Sequence, residues 1–234
     1  MNFVKQYLNR LFIDTAAANR RTILAMLDPL PGGRLLDMGC GDGAYTKEWA
    51  ARVQPAELHG VEIWEDAVSV ARERGLTVHI ADLNEPLPLL DSFFDVILCN
   101  QVLDHLYNPD NLLREVHRLL RPNGYAIISI GNIAAWHNIL SLGLGFQPPL
   151  IHASPEVLVG NPLSPFADEA LPSKGHGHLR VWAWMGFRDL LKHHGLRILA
   201  MCGCGWYPLP PSMASIMCRL DRMHSVYLIA KVTK

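Results

Sequence analysis

The stretch that decides the fold is Leu-Leu-Asp-Met-Gly-Cys-Gly-Asp-Gly, at residues 35–43. Residues 34–38 form an apolar run that is typical of a buried strand, and a helical pattern begins at Ala44. Glycines at alternate positions allow positive φ angles and a close approach of the backbone to a ligand. The helix that follows adds unpaired N–H groups at its N-terminus. We interpret this stretch as a loop that binds a nucleotide-like ligand.

The composition is that of a globular protein. The chain has 234 residues, of which 50% are hydrophobic, and its 21 basic residues nearly balance its 22 acidic ones. A chain of this length fits a single α/β domain over residues 1–234. Because the charge is balanced and no basic run occurs, nothing in the composition favours a nucleic-acid partner.

The cysteines and the apolar segments bear on the compartment. The number of cysteines, five, is odd, and their spacing matches no disulfide framework, so we expect reduced thiols. Cys202 and Cys204 lack a second pair of ligands for zinc, so we expect no metal. Residues 3–12 alternate apolar and polar side chains, unlike a secretory signal, and no segment reaches the ~20 apolar residues of a transmembrane helix. We therefore expect a cytoplasmic protein.

The order of the predicted elements defines the fold class. Two helices in residues 1–30 form an N-terminal helical lid, residues 31–131 form a cofactor-binding core, and residues 132–181 form a substrate or lid insertion. The last helices and strands occupy residues 182–234. The core alternates strands and helices, which predicts a doubly wound, mostly parallel sheet of the Rossmann-like α/β class. Its strands are predicted at 34–38, 57–63, 77–81, 93–99 and 125–130, and two more at 197–202 and 226–232.

Polar residues follow successive predicted strands. Asp37, Glu62 and Asp82 lie at the ends of the first three, and Asn100, Gln101 and His105 follow the fourth. In an open α/β sheet, ligands bind beyond the carboxyl ends of the strands. A single carboxylate there could be an ordinary helix cap, but three at successive strand ends favour a ligand site. The glycine spacing also satisfies the dinucleotide fingerprint, and a nicotinamide-dependent oxidoreductase is one alternative. The acid two residues before the first glycine suits a cationic ligand better than a pyrophosphate.

Residues 35–43 resemble motif I of the class I S-adenosylmethionine-dependent methyltransferases. The resemblance continues through Val-Glu-Ile at 61–63, Ala-Asp-Leu at 81–83, Phe-Asp-Val-Ile at 94–97 and Leu-Leu-Arg-Pro-Asn-Gly at 119–124, and covers roughly residues 30–131. It implies S-adenosylmethionine as cofactor and S-adenosylhomocysteine as product. It also implies a seventh, antiparallel strand, for which residues 226–232 are suited.

The resemblance assigns roles to the residues at the strand ends. Glycines of the loop pass close to the methionine and ribose portions, and Glu62 holds the ribose hydroxyls. Ile63 packs on the adenine, Asp82 with Leu83 reads the adenine edge, and Asn100 contacts the methionine end. The cofactor-binding residues that we expect are Asp37, Gly39, Cys40, Gly41, Gly43, Glu62, Ile63, Asp82, Leu83, Asn100 and Gln101.

The later part of the chain is similar to the type 11, methionine-biosynthesis W-like branch of that superfamily. This part contains the candidate substrate residues, which are Asn132, Trp136, His176, His178 and Arg180. Arg180 could bind a carboxylate or phosphate of the substrate, or pair on the surface. The tryptophans and leucines of the same part favour either an apolar substrate pocket or a lid that packs on its own helices.

The reaction expected is the in-line displacement of the sulfonium methyl group by a small-molecule acceptor with an O, N or C nucleophile. Positioning of the two reactants supplies much of the rate, and a base is needed only if the nucleophile carries a proton. His105 and His137 are the candidate bases, although each could equally be a packing or capping residue. A catalytically silent protein of the same fold, a homo-oligomer and a protein partner are alternatives that the sequence leaves open.

Overall fold

The structure, a computed structural model, describes residues 3–154, 156–162, 164 and 177–234. Seven strands form one sheet in the order β3-β2-β1-β4-β5-β7-β6. The strands are β1 (Arg34–Met38), β2 (Glu57–Glu62), β3 (Thr77–Ile80), β4 (Phe94–Asn100), β5 (Leu120–Gly131), β6 (Arg197–Cys204) and β7 (Tyr227–Thr233).

Helices flank the sheet and connect its strands. They are α1 (Phe3–Met26), α2 (Ala44–Val53), α3 (Glu65–Glu73), α4 (Pro109–Leu119), α5 (Trp136–Gly143), α6 (Trp184–His193) and α7 (Pro211–Leu220). Short 3-10 helices occupy Leu103–His105 and Arg222–His224. No helix among the described residues is long and apolar enough to cross a membrane.

The strand directions confirm the predicted fold class. Strands β1 to β5 pair in parallel, and β7 runs antiparallel to both β5 and β6, so six strands share one direction and the last opposes them. Strand order reverses beside β1, where Asp37 pairs with Gly60 of β2 on one side and with Leu98 of β4 on the other. The carboxyl ends of β1, β2 and β4 therefore meet at one edge of the sheet, which is where open α/β sheets bind ligands.

The N-terminal region is one helix instead of the two that the sequence predicts. Residues 14–20 contain neither glycine nor proline, and Thr15 donates its hydroxyl proton to the carbonyl of Leu11 within the helix (2.8 Å), so nothing interrupts the turns. The buried stripe of α1 consists of Leu11, Thr15, Asn19 and Ile23. Ile23 joins the core that contains Leu35 and Trp49, which fixes α1 across one face of the sheet.

The fifth strand starts earlier than predicted. Helix α4 ends at Leu119, and Leu120 already pairs with Phe94 of β4. The Pro-Asn-Gly sequence at residues 122–124 lies within the strand, where the pairing register shifts between Phe94 and Val96. A bulge of this kind accommodates a proline that cannot donate to the ladder.

Candidate functional site

The glycine loop is joined to strand β2 directly after β1 ends. The backbone N–H groups of Gly39 and Cys40 both donate to the carbonyl of Val61, at 2.9 and 3.1 Å. Gly39 has φ +80°, and a Cβ atom there would lie 2.5 Å from Val102 Cγ2. Gly41 has φ +53°, and a Cβ atom on it would have no atom within 4 Å. Packing against Val102 therefore requires a glycine at position 39, whereas Gly41 exposes its backbone to open space.

Glu62 fixes this loop from the end of β2. It is 8% exposed, and its Oε2 accepts a hydrogen bond from the backbone N–H of Gly41 (2.9 Å). Its Oε1 accepts from the N–H groups of Ile63 (2.7 Å) and Trp64 (3.1 Å). A carboxylate offers about four acceptor positions, so three bonds to the protein leave it able to accept from a ligand hydroxyl.

Apolar side chains lie in solvent beside Glu62. Ile63 and Trp64, which follow it directly, are 46% and 41% exposed. An exposed isoleucine and tryptophan next to a buried carboxylate offer a flat apolar contact beside a hydrogen-bond acceptor. That combination suits a purine and its ribose.

Asp37 is a buried acid beneath the same loop. It is 2% exposed, and Thr46 of α2 donates a hydrogen bond to its Oδ2 (2.5 Å). The pKa of Asp37 is raised to about 7, mainly by burial; the hydrogen bond from Thr46 opposes this rise and the nearby charge of Glu62 adds to it. A buried carboxyl group whose pKa is shifted this far is a common mark of a functional site. A bound cation would favour its ionised form.

A cavity of about 550 Å³, which we call the first cavity, opens in front of this acid. Helix α1 forms one wall, with Phe12 and Arg20, and the glycine loop forms the opposite wall. The guanidinium of Arg20 lies 4.7 Å from the centre of the Tyr45 ring on the rim. Predicted cofactor residues that line this cavity are Asp37, Gly39, Cys40, Gly41, Asn100 and Gln101.

A chain of polar side chains ties α1 to the end of β4. Asn19 donates to Asn100 Oδ1 (2.7 Å), and Ser129 of β5 donates to Asn19 Oδ1 (2.8 Å). Gln101 in turn donates from its Nε2 to the hydroxyl of Ser129 (2.9 Å). Gln101 has φ +56°, a left-handed conformation that is unfavourable for a side chain of this kind and that tends to occur at functional sites. Sequence reasoning missed Asn19 and Ser129, although a polar residue within the apolar stripe of α1 was a usable signal.

A second cavity of about 260 Å³ adjoins the first. Phe12, Gln101 and Tyr227 line both cavities, so these three residues stand between them. The rest of the wall comes from α5, from residues 149–164 and from the segment around residue 207. Its polar members include Asn132, His137, Asn138, His178 and Tyr207, of which Asn138 and Tyr207 were missed by sequence reasoning.

The two candidate bases lie in different surroundings. His137 lines the second cavity, and burial lowers the pKa of its imidazole to about 4. His105 lies in the 3-10 helix after β4, with Nδ1 3.1 Å from the carbonyl oxygen of Gly177 and its ring against His178 (4.8 Å between ring centres). His178 contacts the carbonyl oxygen of Leu150 through Nδ1 (3.0 Å).

Five predicted cofactor residues are not among the described wall residues of the first cavity: Glu62 and Ile63, which lie beside the glycine loop, and Gly43, Asp82 and Leu83. Gly43 caps the N-terminus of α2 with φ +77°. Asp82 follows β3, and its Oδ1 accepts two hydrogen bonds from Asn84, one from the backbone N–H (2.9 Å) and one from the side chain (2.8 Å). Leu83 is 8% exposed and belongs to the hydrophobic core. Asp82 and Leu83 nevertheless follow β3, the strand next to β2 at whose end Glu62 lies.

The predicted substrate residues are scattered. Asn132 donates from Nδ2 to the carbonyls of Met223 (2.8 Å) and Ser225 (2.7 Å), so its amide joins the end of β5 to the segment that precedes β7. Trp136 is 45% exposed and donates to Asp221 Oδ2 (2.9 Å), and Arg180 donates to the carbonyl of Tyr107 (3.0 Å). Neither Trp136 nor Arg180 lines one of the two cavities, and His176 lies outside the described residues.

The sequence matches the methyltransferase domain family over residues 36–128. This segment is a methyltransferase domain. It contains the glycine loop, Glu62, Asp82 and Gln101, and the seven-stranded sheet around it has the fold of the class I S-adenosylmethionine-dependent superfamily.

Individual proteins agree with this assignment. The chain is 32% identical, over 112 residues, to the ubiquinone biosynthesis O-methyltransferase of Pseudomonas syringae, which covers 44% of this chain and 46% of that protein. It spans about half the length of the curated relatives that it matches. An S-adenosylmethionine-dependent methyltransferase from Mesorhizobium loti shares the fold with a TM-score of 0.61 at 20% identity, over 94% of this chain and 100% of that one. The [4+2]-cyclase SpnF shares it as well, with a TM-score of 0.57 at 20% identity, over 92% and 81% of the two chains.

The residues present fit the cofactor of this superfamily. S-adenosylmethionine is a cation at its sulfur, and the described wall of the first cavity carries the carboxyl groups of Asp37 and Asp42 with the single guanidinium of Arg20. The open space above Gly41 leaves room for a ligand against the backbone. The indole Nε1 of Trp49, which also lines this cavity, is out of contact with solvent and has no hydrogen-bond partner among the described residues.

The low pKa of His137 predicts a pH dependence of stability. Between pH 6.5 and about 4 an unfolded histidine takes up a proton that His137 in the folded protein does not, so this residue lowers the free energy of unfolding as the pH falls. The slope is at most about 1.4 kcal/mol per pH unit. Asp37 and Asp104, both with pKa values raised to about 7 by burial, act in the opposite direction over this range.

Urea unfolding at several pH values, compared with the variant His137→Phe, isolates the contribution of His137. We expect the stability of the wild type relative to the variant to decline steadily from pH 6.5 to 4. The control is His193→Phe, at an exposed position of α6 that is in water in both the folded and the unfolded chain. Parallel stability curves for the wild type and His137→Phe would contradict the burial of this imidazole.

Proposed function

We propose that this protein transfers the methyl group of S-adenosylmethionine to a small molecule held in the second cavity. The observation that carries the proposal is that two cavities adjoin at Phe12, Gln101 and Tyr227, and that the first lies against the glycine loop of a methyltransferase domain. The chemistry that the cofactor supplies when bound is a methyl group on positively charged sulfur, which a nucleophile displaces in line.

The side chains of the first cavity, together with Glu62 beside its glycine loop, would bind and orient the cofactor. Glu62 would accept hydrogen bonds from the ribose hydroxyls while it holds Gly41 in place. Asp37 would supply a negative charge near the cationic end, and Arg20 on the opposite wall would face the carboxylate of the methionine part. Because Asp37 and Glu62 are buried and Glu62 is held by backbone donors, little reorganisation accompanies binding, and this favours catalysis by positioning.

The residues between the cavities would set the direction of transfer. Gln101 is held by two hydrogen bonds to Ser129, one from its backbone N–H to the carbonyl (2.9 Å) and one from its side chain to the hydroxyl (2.9 Å). Because Gln101 is held in this way, it would keep the cofactor and the acceptor at a constant distance and orientation. His137 is the candidate base that lies in the wall of the second cavity; its low pKa keeps the imidazole neutral at pH 7 and also makes it a weak proton acceptor.

The similarity to the ubiquinone biosynthesis O-methyltransferase of Pseudomonas syringae supports a transfer to oxygen. That relative is named for an O-methylation, and the match extends over 112 residues. We therefore place oxygen nucleophiles first in the acceptor panel described below.

Calorimetry with three cofactors tests the proposal. We expect S-adenosylmethionine and S-adenosylhomocysteine to bind and NAD not to bind, because the described wall of the first cavity places the carboxyl groups of Asp37 and Asp42 where a pyrophosphate would add negative charge. Binding of NAD alone would overturn the proposal. Release of S-adenosylhomocysteine in the presence of a panel of phenols, alcohols, amines and carbon acids would support it. Tight cofactor binding with no turnover across the panel would instead favour a catalytically silent protein of this fold.

A double-mutant cycle tests the role of Glu62. The two ligands are adenosine and 2′,3′-dideoxyadenosine, which lacks both ribose hydroxyls. We expect the wild type to bind the dideoxy compound about 1.5–3 kcal/mol more weakly, as for the loss of hydrogen bonds to a charged acceptor. In Glu62→Ala the two ligands should bind equally, even if the looser loop weakens both. The control is Glu57→Ala, an exposed acid on the same strand, which should behave as the wild type. An undiminished difference in Glu62→Ala would show that the ribose binds elsewhere.

A further inference from the structure

Charged side chains are scarce in the described wall of the second cavity. No lysine, arginine, aspartate or glutamate is among its described lining residues. Burial raises the pKa of Tyr207 to about 12 and lowers that of His137 to about 4, so both are neutral at pH 7. The buried acid Asp104 does not line the cavity, and its Oδ2 accepts a hydrogen bond from the backbone N–H of the lining residue Gly131 (2.9 Å). An ion in this cavity would lose its hydration without gaining a partner of opposite charge, which is strongly unfavourable.

The size of the cavity limits the ligand. Its volume of about 260 Å³ compares with the roughly 150 Å³ of an apolar cavity that holds benzene. Apolar side chains contribute much of the wall, among them Phe12, Leu150, Leu158 and Val226. A molecule with two fused rings, or an aliphatic molecule of similar bulk, matches this space.

Three polar atoms in the wall need a partner. The atoms are Nδ1 of His137, Oδ1 of Asn138 and the hydroxyl of Tyr207, all of them out of contact with solvent and without a hydrogen bond among the described residues. The rings of His137 and Tyr207 lie 5.3 Å apart between centres, so two of the three atoms belong to neighbouring side chains. Buried polar groups in folded proteins are nearly always paired, and a set of exceptions around one cavity points to a ligand.

The chemistry of the three atoms defines what the ligand must offer. An amide oxygen such as Oδ1 of Asn138 only accepts, so the ligand must donate a proton to it. The amide nitrogen of Asn138 already donates to the carbonyl of Asn132 (3.0 Å), which orients the oxygen. The hydroxyl of Tyr207 can donate to or accept from the same group of the ligand. A hydroxyl group, which both donates and accepts, satisfies two of these atoms at once.

We infer that the acceptor is an uncharged, mostly apolar molecule of about two rings that carries a hydroxyl group, and that Asn138 and Tyr207 recognise this hydroxyl. The inference rests on the proposed function in taking the second cavity as the acceptor site. It concerns binding, and it does not assign the atom that is methylated.

Three matched probes test it by calorimetry, with and without saturating S-adenosylhomocysteine. They are 2-naphthol, which carries the hydroxyl, naphthalene, which lacks it, and 2-naphthoate, which carries a negative charge. We expect 2-naphthol to bind the wild type at least tenfold more tightly than naphthalene, and 2-naphthoate to bind more weakly than either. Tighter binding of 2-naphthoate than of 2-naphthol would overturn the inference, and so would equal binding of 2-naphthol and naphthalene.

The variant Tyr207→Phe tests whether the hydroxyl group of 2-naphthol binds at Tyr207. Because the hydroxyl of Tyr207 has no partner within the described protein, its removal should leave the free energy of unfolding unchanged or slightly increased. The affinity for 2-naphthol should fall about five- to tenfold, while that for naphthalene should stay the same. The control is Tyr107→Phe, at an exposed position away from both cavities. If 2-naphthol bound Tyr207→Phe as tightly as the wild type, the hydroxyl would not lie at Tyr207 and the inference would fail.

The same titrations separate this inference from the proposed function. If S-adenosylhomocysteine did not bind, the proposed cofactor would be contradicted. The relative affinities of the three probes, measured in the absence of S-adenosylhomocysteine, would still decide the chemistry of the second cavity. Binding of S-adenosylhomocysteine together with a preference for 2-naphthoate would leave the methyltransferase proposal standing and overturn the neutral acceptor.

Discussion

The hydrogen bond between the backbone of Gly41 and the carboxylate of Glu62, at 2.9 Å, is the contact on which the rest of the site depends. It joins the loop after β1 to the end of β2 and fixes the left-handed turn of the loop against its neighbour strand. The same carboxylate accepts from Ile63 and Trp64, and so also fixes the residues that follow β2. One buried acid therefore shapes both the glycine loop and the exposed apolar surface beside it, and it retains capacity to accept from a ribose.

The two cavities differ in their electrostatics because they lie against different parts of the fold. The first lies over the carboxyl ends of β1 and β4, where a bound cation would favour the ionised form of Asp37. The second lies under α5 and the segment around Tyr207, where the described wall holds no lysine, arginine, aspartate or glutamate. Gln101, in its left-handed conformation between them, is held by Ser129 and thereby linked to Asn19 of α1. Helix α1 thus belongs to the site as much as the sheet does, since it lines both cavities through Phe12.

The sequence predicted those parts of the fold whose signals are local. The glycine loop and the acids at the strand ends each depend on a few consecutive residues, and they lie where the pattern indicated. The antiparallel direction of the last strand was implied by the family resemblance, and β7 confirms it. The sequence did not reveal Asn19, Ser129, Asn138 and Tyr207, because their importance arises from contacts between residues far apart in the chain, such as Ser129 with Asn19. It also divided α1 in two, although residues 14–20 contain no glycine or proline, and it began the fifth strand at residue 125, whereas Leu120 already pairs with Phe94 of β4. Trp136 and Arg180 were chosen as substrate residues by resemblance, and they lie away from both cavities.

A crystal structure of the protein with S-adenosylhomocysteine tests the central claim most directly. The account predicts the homocysteine part in the first cavity between Asp37 and Arg20, with both ribose hydroxyls within hydrogen-bond distance of Glu62 and the sulfur facing the second cavity past Gln101. A ligand bound with its ribose away from Glu62, or with its sulfur directed away from the second cavity, would contradict the account.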